Sequence, residues 1–273
     1  QLKAIDLDNR GVIEQTGSGS LAVKTQELVN NDQAVIGQAL YENQPTTTAP
    51  TVNSPPSTAN TGSQNQVVDN TSPSNPTPSP DAPSLPALTP VTASGSITAN
   101  TLTNATSNAV ITANGNTAVQ ANDISNTANS SIAVDKLITN NQQAGNRLNN
   151  YNSSIQITGA DWKLEQFSNN KGQIVSQQYL NINSQQGIYN TAGTLASQKD
   201  ITLITQGDLN NTQGVIQAQR VTVQGDQLDN TKGKVYAEDA ANLTIDGKTN
   251  NTQGAISAKQ EVKIATGSII SQD

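Results

Sequence analysis

The 273-residue chain has no cysteine, no histidine and no methionine, and it carries one phenylalanine and one tryptophan. Without cysteine there is no disulfide framework, a usage common in secreted bacterial chains and unusual in animal extracellular domains. Without histidine or cysteine there is no Ser-His-Asp triad, no Cys-His pair and no ordinary zinc site. Aromatics make up 3% of residues and hydrophobic residues 33%, which argues against an enzyme built around one compact core. The 14 basic residues are scattered singly and the net charge is −7, so neither a phosphate backbone nor anionic lipid is attracted. No apolar run reaches membrane-spanning length, and no signal peptide opens the chain. Phosphate-cradling, dinucleotide-binding and Gly-Gly-x-Gly-x-Asp calcium motifs are absent. No cofactor is expected.

What is present is internal repetition. With Gly172, Gly193, Gly214, Gly233 and Gly254 as reference points, Asn169, Asn190, Asn211, Asn230 and Asn251 stand three positions before. Ile174, Leu195, Ile216, Val235 and Ile256 stand two after, and Ser176, Ser197, Ala218, Ala237 and Ala258 four after. Alternating aliphatic pairs follow, from Leu180/Ile182 to Val262/Ile264. The frame extends back more loosely: Leu148-Asn149-Asn150 leads to Ile155 and Ile157, Leu102-Thr103-Asn104 to Val110, and Val29-Asn30-Asn31 to Ile36. Period-two aliphatics in a unit of about 20 residues predict short strands, one unit making one coil of a parallel β-helix. Like residues then stack in columns: apolar ladders inside, the small residues at a tight corner, and asparagine at a turn. There it would accept left-handed backbone angles and hydrogen-bond along the axis.

All 11 prolines lie between Pro45 and Pro90. Proline cannot donate to a ladder, so this stretch reads as an extended spacer. The expected organisation is β-helix coils over 1–40, a Pro/Ser/Thr/Asn-rich linker over 41–95, irregular coils over 96–147 and regular coils over 148–273. The repeat runs to both ends, which reads as a segment of something longer. Of possible carboxylate pairs, Asp161 with Glu165 and Glu238 with Asp239, neither recurs on neighbouring repeats; both read as solvated surface charge. An exposed Asn-Thr ladder for ice or sugar is the alternative to turn chemistry at the asparagine column. Tyr151, Trp162 and Phe167 cluster in the less regular coils. They are candidates for a partner-contact patch, and filling of the core between coils is the reading weighed against it, and favoured.

The stretch LNNTQGVIQAQRVTVQGDQLDNTKGKVYAEDAANLTIDG, with its Leu-x-Asn-Thr-x-Gly-x-Ile-x-Ala phrase, resembles the haemagglutinin repeats of filamentous haemagglutinin and of CdiA-type contact-dependent growth-inhibition exoproteins. The resemblance covers 148–273 closely, 1–40 and 96–147 loosely, and the proline-rich stretch not at all. It implies a right-handed parallel β-helix in a large exoprotein exported by two-partner secretion to the Gram-negative cell surface. Such filaments serve adhesion, virulence or toxin presentation. The implied partners are an outer-membrane receptor or surface glycan of a target cell and an outer-membrane secretion partner for the full-length protein. Asn-Pro-Asn secretion motifs, the Val-Glu-Asn-Asn boundary motif and a toxin domain are absent, so the segment is expected neither to start secretion nor to kill. The expectation is a non-catalytic adhesive segment with recognition over 96–170. The alternatives are a passive spacer or a polysaccharide-degrading β-helix enzyme.

Overall fold

The computed structural model describes residues 1–14, 21–37, 95–105, 108–112, 117–139 and 145–272. These residues form an all-β, right-handed parallel solenoid. One coil shows the plan. Asp200–Thr205 makes the first face and Asp208–Asn210 the second. Val215–Gly225 makes the third and then bends, with a register shift between Ala218 and Arg220, into the first face of the next coil. Every strand pairing in the solenoid is parallel, so like positions lie over one another: Leu180, Ile201, Val221 and Ala241 form one inward column. Phe167, Ile188, Leu209 and Leu228 form another, and Ile174, Leu195, Ile216 and Val235 a third. All of these are essentially buried. Each aliphatic side chain so placed contributes about 1.5–3 kcal/mol. The narrow interior explains the scarcity of aromatics.

The asparagine column is a continuous chain of hydrogen bonds, buried as far as Asn230. From Asn9 through Asn30, Asn104, Asn126, Asn150, Asn169, Asn190, Asn211 and Asn230 to Asn251, each Nδ2 donates to the next Oδ1 at 2.7–2.9 Å. Nδ2 also donates to a carbonyl of its own turn, as Asn169 does to Gly172 O at 3.1 Å. Aligned amides in a low-dielectric interior polarise one another. The asparagine itself does not take the left-handed conformation. That falls on the residue before glycine: Lys171, Ala192, Gln213, Lys232 and Gln253, at φ 52–57°. The ladder asparagine must keep its side chain pointing inward, so the chain reverses two residues later. The cost there is offset by a bond to the next coil, such as Ala192 N to Thr212 O at 2.8 Å. The glycine is needed for space. A Cβ on Gly193 would sit 2.0 Å from Asn169 O, and one on Gly214 2.2 Å from Asn190 O.

The small column does lie at the corner between the third and first faces. Ser176 Oγ donates to Thr158 O at 3.0 Å and Ser197 Oγ to Gln178 O at 2.9 Å, tying adjacent coils together there.

Residues 30 and 104 are neighbours in the asparagine column although 74 apart in sequence, where the next separations are 22 and 24. Glu27–Asn30 pairs directly with Thr101–Asn104, and Val35–Gly37 with Val110–Thr112. The coils on either side of the proline-rich stretch are therefore consecutive coils of one solenoid. The stretch itself, 41–94 of the expected linker, lies outside the described residues. In these early coils the turns are one or two residues longer: Asn30 reaches Ala34 O and Asn104 reaches Ala109 O. That slip puts Ile111, not Val110, in the inward column with Ile36 and Ile132.

Among the described residues the first face is broken once. Its first five strands, ending with Lys136–Thr139, form a separate sheet from the one that carries 160–164. At the break Trp162 Nε1 donates to Leu137 O at 2.6 Å, so the indole supplies a bond where the ladder does not.

Candidate functional site

Two of the three aromatic contact candidates are interior. Trp162 is 1% exposed and Phe167 0%, with ring centroids 6.2 Å apart in a stacked pair. Both stand in inward columns, Trp162 over Ile182 and Phe167 between Leu148 and Ile188. Neither offers contact surface; they fill the interior where the coils change from irregular to regular. Tyr151 is 45% exposed, with Lys171 Nζ 5.8 Å from its ring centroid. The proposed recognition region thus keeps one of its aromatic signals. The asparagine column is buried from Asn9 to Asn230, so an exposed Asn ladder is excluded for those residues.

The carboxylates of the two candidate acid pairs are held by other side chains, mostly of neighbouring coils. Asp161 accepts from Asn181, and Glu165 from Gln186. Glu238 accepts from Tyr236 at 2.9 Å and pairs with Lys259; Asp239 accepts from Gln219 at 2.8 Å and Gln260 at 3.2 Å. The Lys259 ammonium, then the Tyr236 hydroxyl, holds the Glu238 carboxyl below the usual carboxylate range.

Among the described residues the outer surface carries two shallow concavities of about 480 Å³ each, one lined by Arg147, Gln166 and Tyr189 and one, a groove, on the first face of the regular coils. Parallel register makes the groove. Asp161, Asn181, Thr202, Thr222 and Asn242 occupy one outward column, each stacked on the next. The neighbouring outward column runs Gly159, Tyr179, Asp200, Arg220. Gly159 leaves room for the Tyr179 ring: a Cβ there would lie 2.8 Å from Tyr179 Cε1. The ring therefore packs beside Gly159 and is 37% exposed. Partial desolvation, then the Asp161 carboxylate, pushes the Tyr179 phenol up, so it stays a neutral donor. Arg220 bonds Asp200 through Nε and Nη2, both at 2.8 Å, and this partner holds the guanidinium pKa up. Sequence reasoning missed this groove because its columns keep no residue type from coil to coil.

Comparison with protein-family models, with curated proteins and with solved structures finds no match.

Proposed function

We propose that the chain is a structural and adhesive segment of a large secreted bacterial surface filament of the filamentous-haemagglutinin or CdiA type. It is non-catalytic, gives reach, and presents its outer faces to a receptor or surface glycan of a target cell. The full-length protein would leave the cell through an outer-membrane secretion partner and stand on the Gram-negative surface. One observation carries this reading: in the phrase that resembles the haemagglutinin repeat, five of the six fixed residues have a stacking role. Leu209, Asn211, Gly214, Ile216 and Ala218 are an apolar rung, a ladder amide, a steric gap, a second rung and a corner. The inward positions are consumed by the fold, so work is left to the polar outer faces, which suit contact with another surface.

The test is adherence of the purified, fluorescently labelled chain to Gram-negative and epithelial cells. Saturable adherence is expected. Adherence no greater than that of an unrelated β-solenoid would leave a spacer and remove the adhesive role.

A further inference from the structure

We propose that the groove on the first face of the regular coils is a binding site for a linear, uncharged oligosaccharide. This rests on the adhesive reading above and gives it a ligand class and an address. The floor is the outward column Asn181, Thr202, Thr222 and Asn242, hydroxyls and amides that both donate and accept, half-buried and one per coil. Their spacing is set by the strands at about 4.8 Å, so they form a row of bidirectional hydrogen-bonding groups parallel to the solenoid axis. A polyhydroxylated chain lying along that axis meets a matching partner at each rung.

Tyr179 supplies the second requirement. Its ring packs beside Gly159, with Cδ1, Cε1 and Cζ nearest the space a Cβ would fill there, and stays partly exposed at the Asp161 end of the row. A sugar ring has an apolar C–H face and a polar rim. A partly exposed aromatic ring beside a row of amides and hydroxyls can receive both. Asp161 is placed to accept from a sugar hydroxyl beside the ring, and Arg220 to donate along the edge.

Charge decides against an acidic polysaccharide. Arg220 is already paired in bidentate fashion with Asp200, and Asp161 is a further negative charge. The lining is therefore net negative, in a chain of net charge −7, and a carboxylated or sulfated glycan is repelled. The groove is open along its length, so it takes internal units of a chain rather than a terminal residue.

The experiment is titration calorimetry and glycan-array binding of the whole chain with neutral linear hexaoses: cello-, malto-, laminari- and N-acetylchitohexaose. A polygalacturonate hexamer is the anionic probe. Binding of at least one neutral hexaose is expected, with the anionic hexamer bound more weakly. Tyr179→Ala should weaken binding about tenfold, the loss of one aromatic stacking contact. The double variant Thr202→Val/Thr222→Val, which keeps the β-branched shape, should weaken it as well. Circular dichroism establishes that each variant is folded. No neutral hexaose bound, an anionic preference, or unchanged binding by both variants would overturn the site. Cell adherence is measured alongside. Full adherence by Tyr179→Ala would overturn the groove as the adhesive site and leave the adhesive reading standing. Hexaose binding without any adherence would keep the site and remove that reading.

Discussion

At the residue scale the fold depends on side chains that have no freedom to vary because their neighbours above and below are copies of themselves. Asn211 accepts from Asn190 Nδ2 and donates to Asn230 Oδ1, both inside the solenoid. Asn211→Ala leaves Asn190 and Asn230 each short of a partner, and a loss of about 2–3 kcal/mol is expected in urea unfolding. Glycine's role is steric, so it can be tested by contrast. Gly214→Ala places a methyl 2.2 Å from Asn190 O and should cost more than about 2 kcal/mol, whereas Gly11→Ala, with nothing within 4 Å, should stay within about 0.5 kcal/mol. Glu238 titrates low because Lys259 and Tyr236 bond its charged form. A carboxyl with a depressed folded pKa stabilises above the unfolded value, near pH 4.3, and the benefit disappears as pH falls through the folded value. Glu238→Gln should therefore narrow its stability gap to wild type as pH drops below about 4.3. The difference at neutral pH should stay under about 1 kcal/mol, because the pair is well exposed and screened. The ladder asparagines and glycines were legible in sequence because stacking demands one residue type at one position. The left-handed position was not: Lys171, Ala192, Gln213 and Lys232 share no chemistry, since the backbone reverses there with the side chains exposed.

At the scale of the strand and the coil, the inward columns of 148–273 were readable because the third-face turn there has constant length. In the early coils the turn length varies, one residue shorter after Asn9 and one or two longer after Asn30 and Asn104, and a fixed frame then misses the column by one place, as at Val110 and Ile111. The break in the first face, and Trp162 spanning it, had no sequence signal beyond a lone tryptophan. Trp162→Ala removes a buried ring and its bond to Leu137 O, and about 3–5 kcal/mol of destabilisation is expected. As the single tryptophan it also reports directly: its emission should be blue-shifted and resist acrylamide quenching in the native state. The groove was illegible for another reason. Tyr179 and Gly159 are neighbours only through coil-to-coil register, and outward positions such as Asp161, Asn181 and Thr202 are free to differ where inward ones are not. Outward variety is where specificity can be written on a repeat whose inward face is fixed.

At the scale of the whole molecule, the solenoid on both sides of the proline-rich stretch is one stack, because Asn30 bonds Asn104 and three pairs of strands join the two coils. Replacing 38–94 with a five-residue Gly/Ser linker, about the length that joins other coils at this corner, should leave far-UV circular dichroism per ordered residue and the melting temperature little changed. A chain that loses its strand signal on this excision would mean that the coils before and after do not stack. Reach and surface display both depend on consecutive repeats rising by one strand spacing along a common axis. Paired spin labels can measure that rise, since the chain has no cysteine of its own. Lys163, Gln224, Thr244 and Ala265 share one outward column beside the groove. Labels at Lys163 with Gln224, Thr244 or Ala265 should lie about 14, 19 and 24 Å apart by electron-electron resonance, one increment of about 4.8 Å per coil. Distances that fail to grow with coil number would contradict parallel stacking, and the adhesive groove with it.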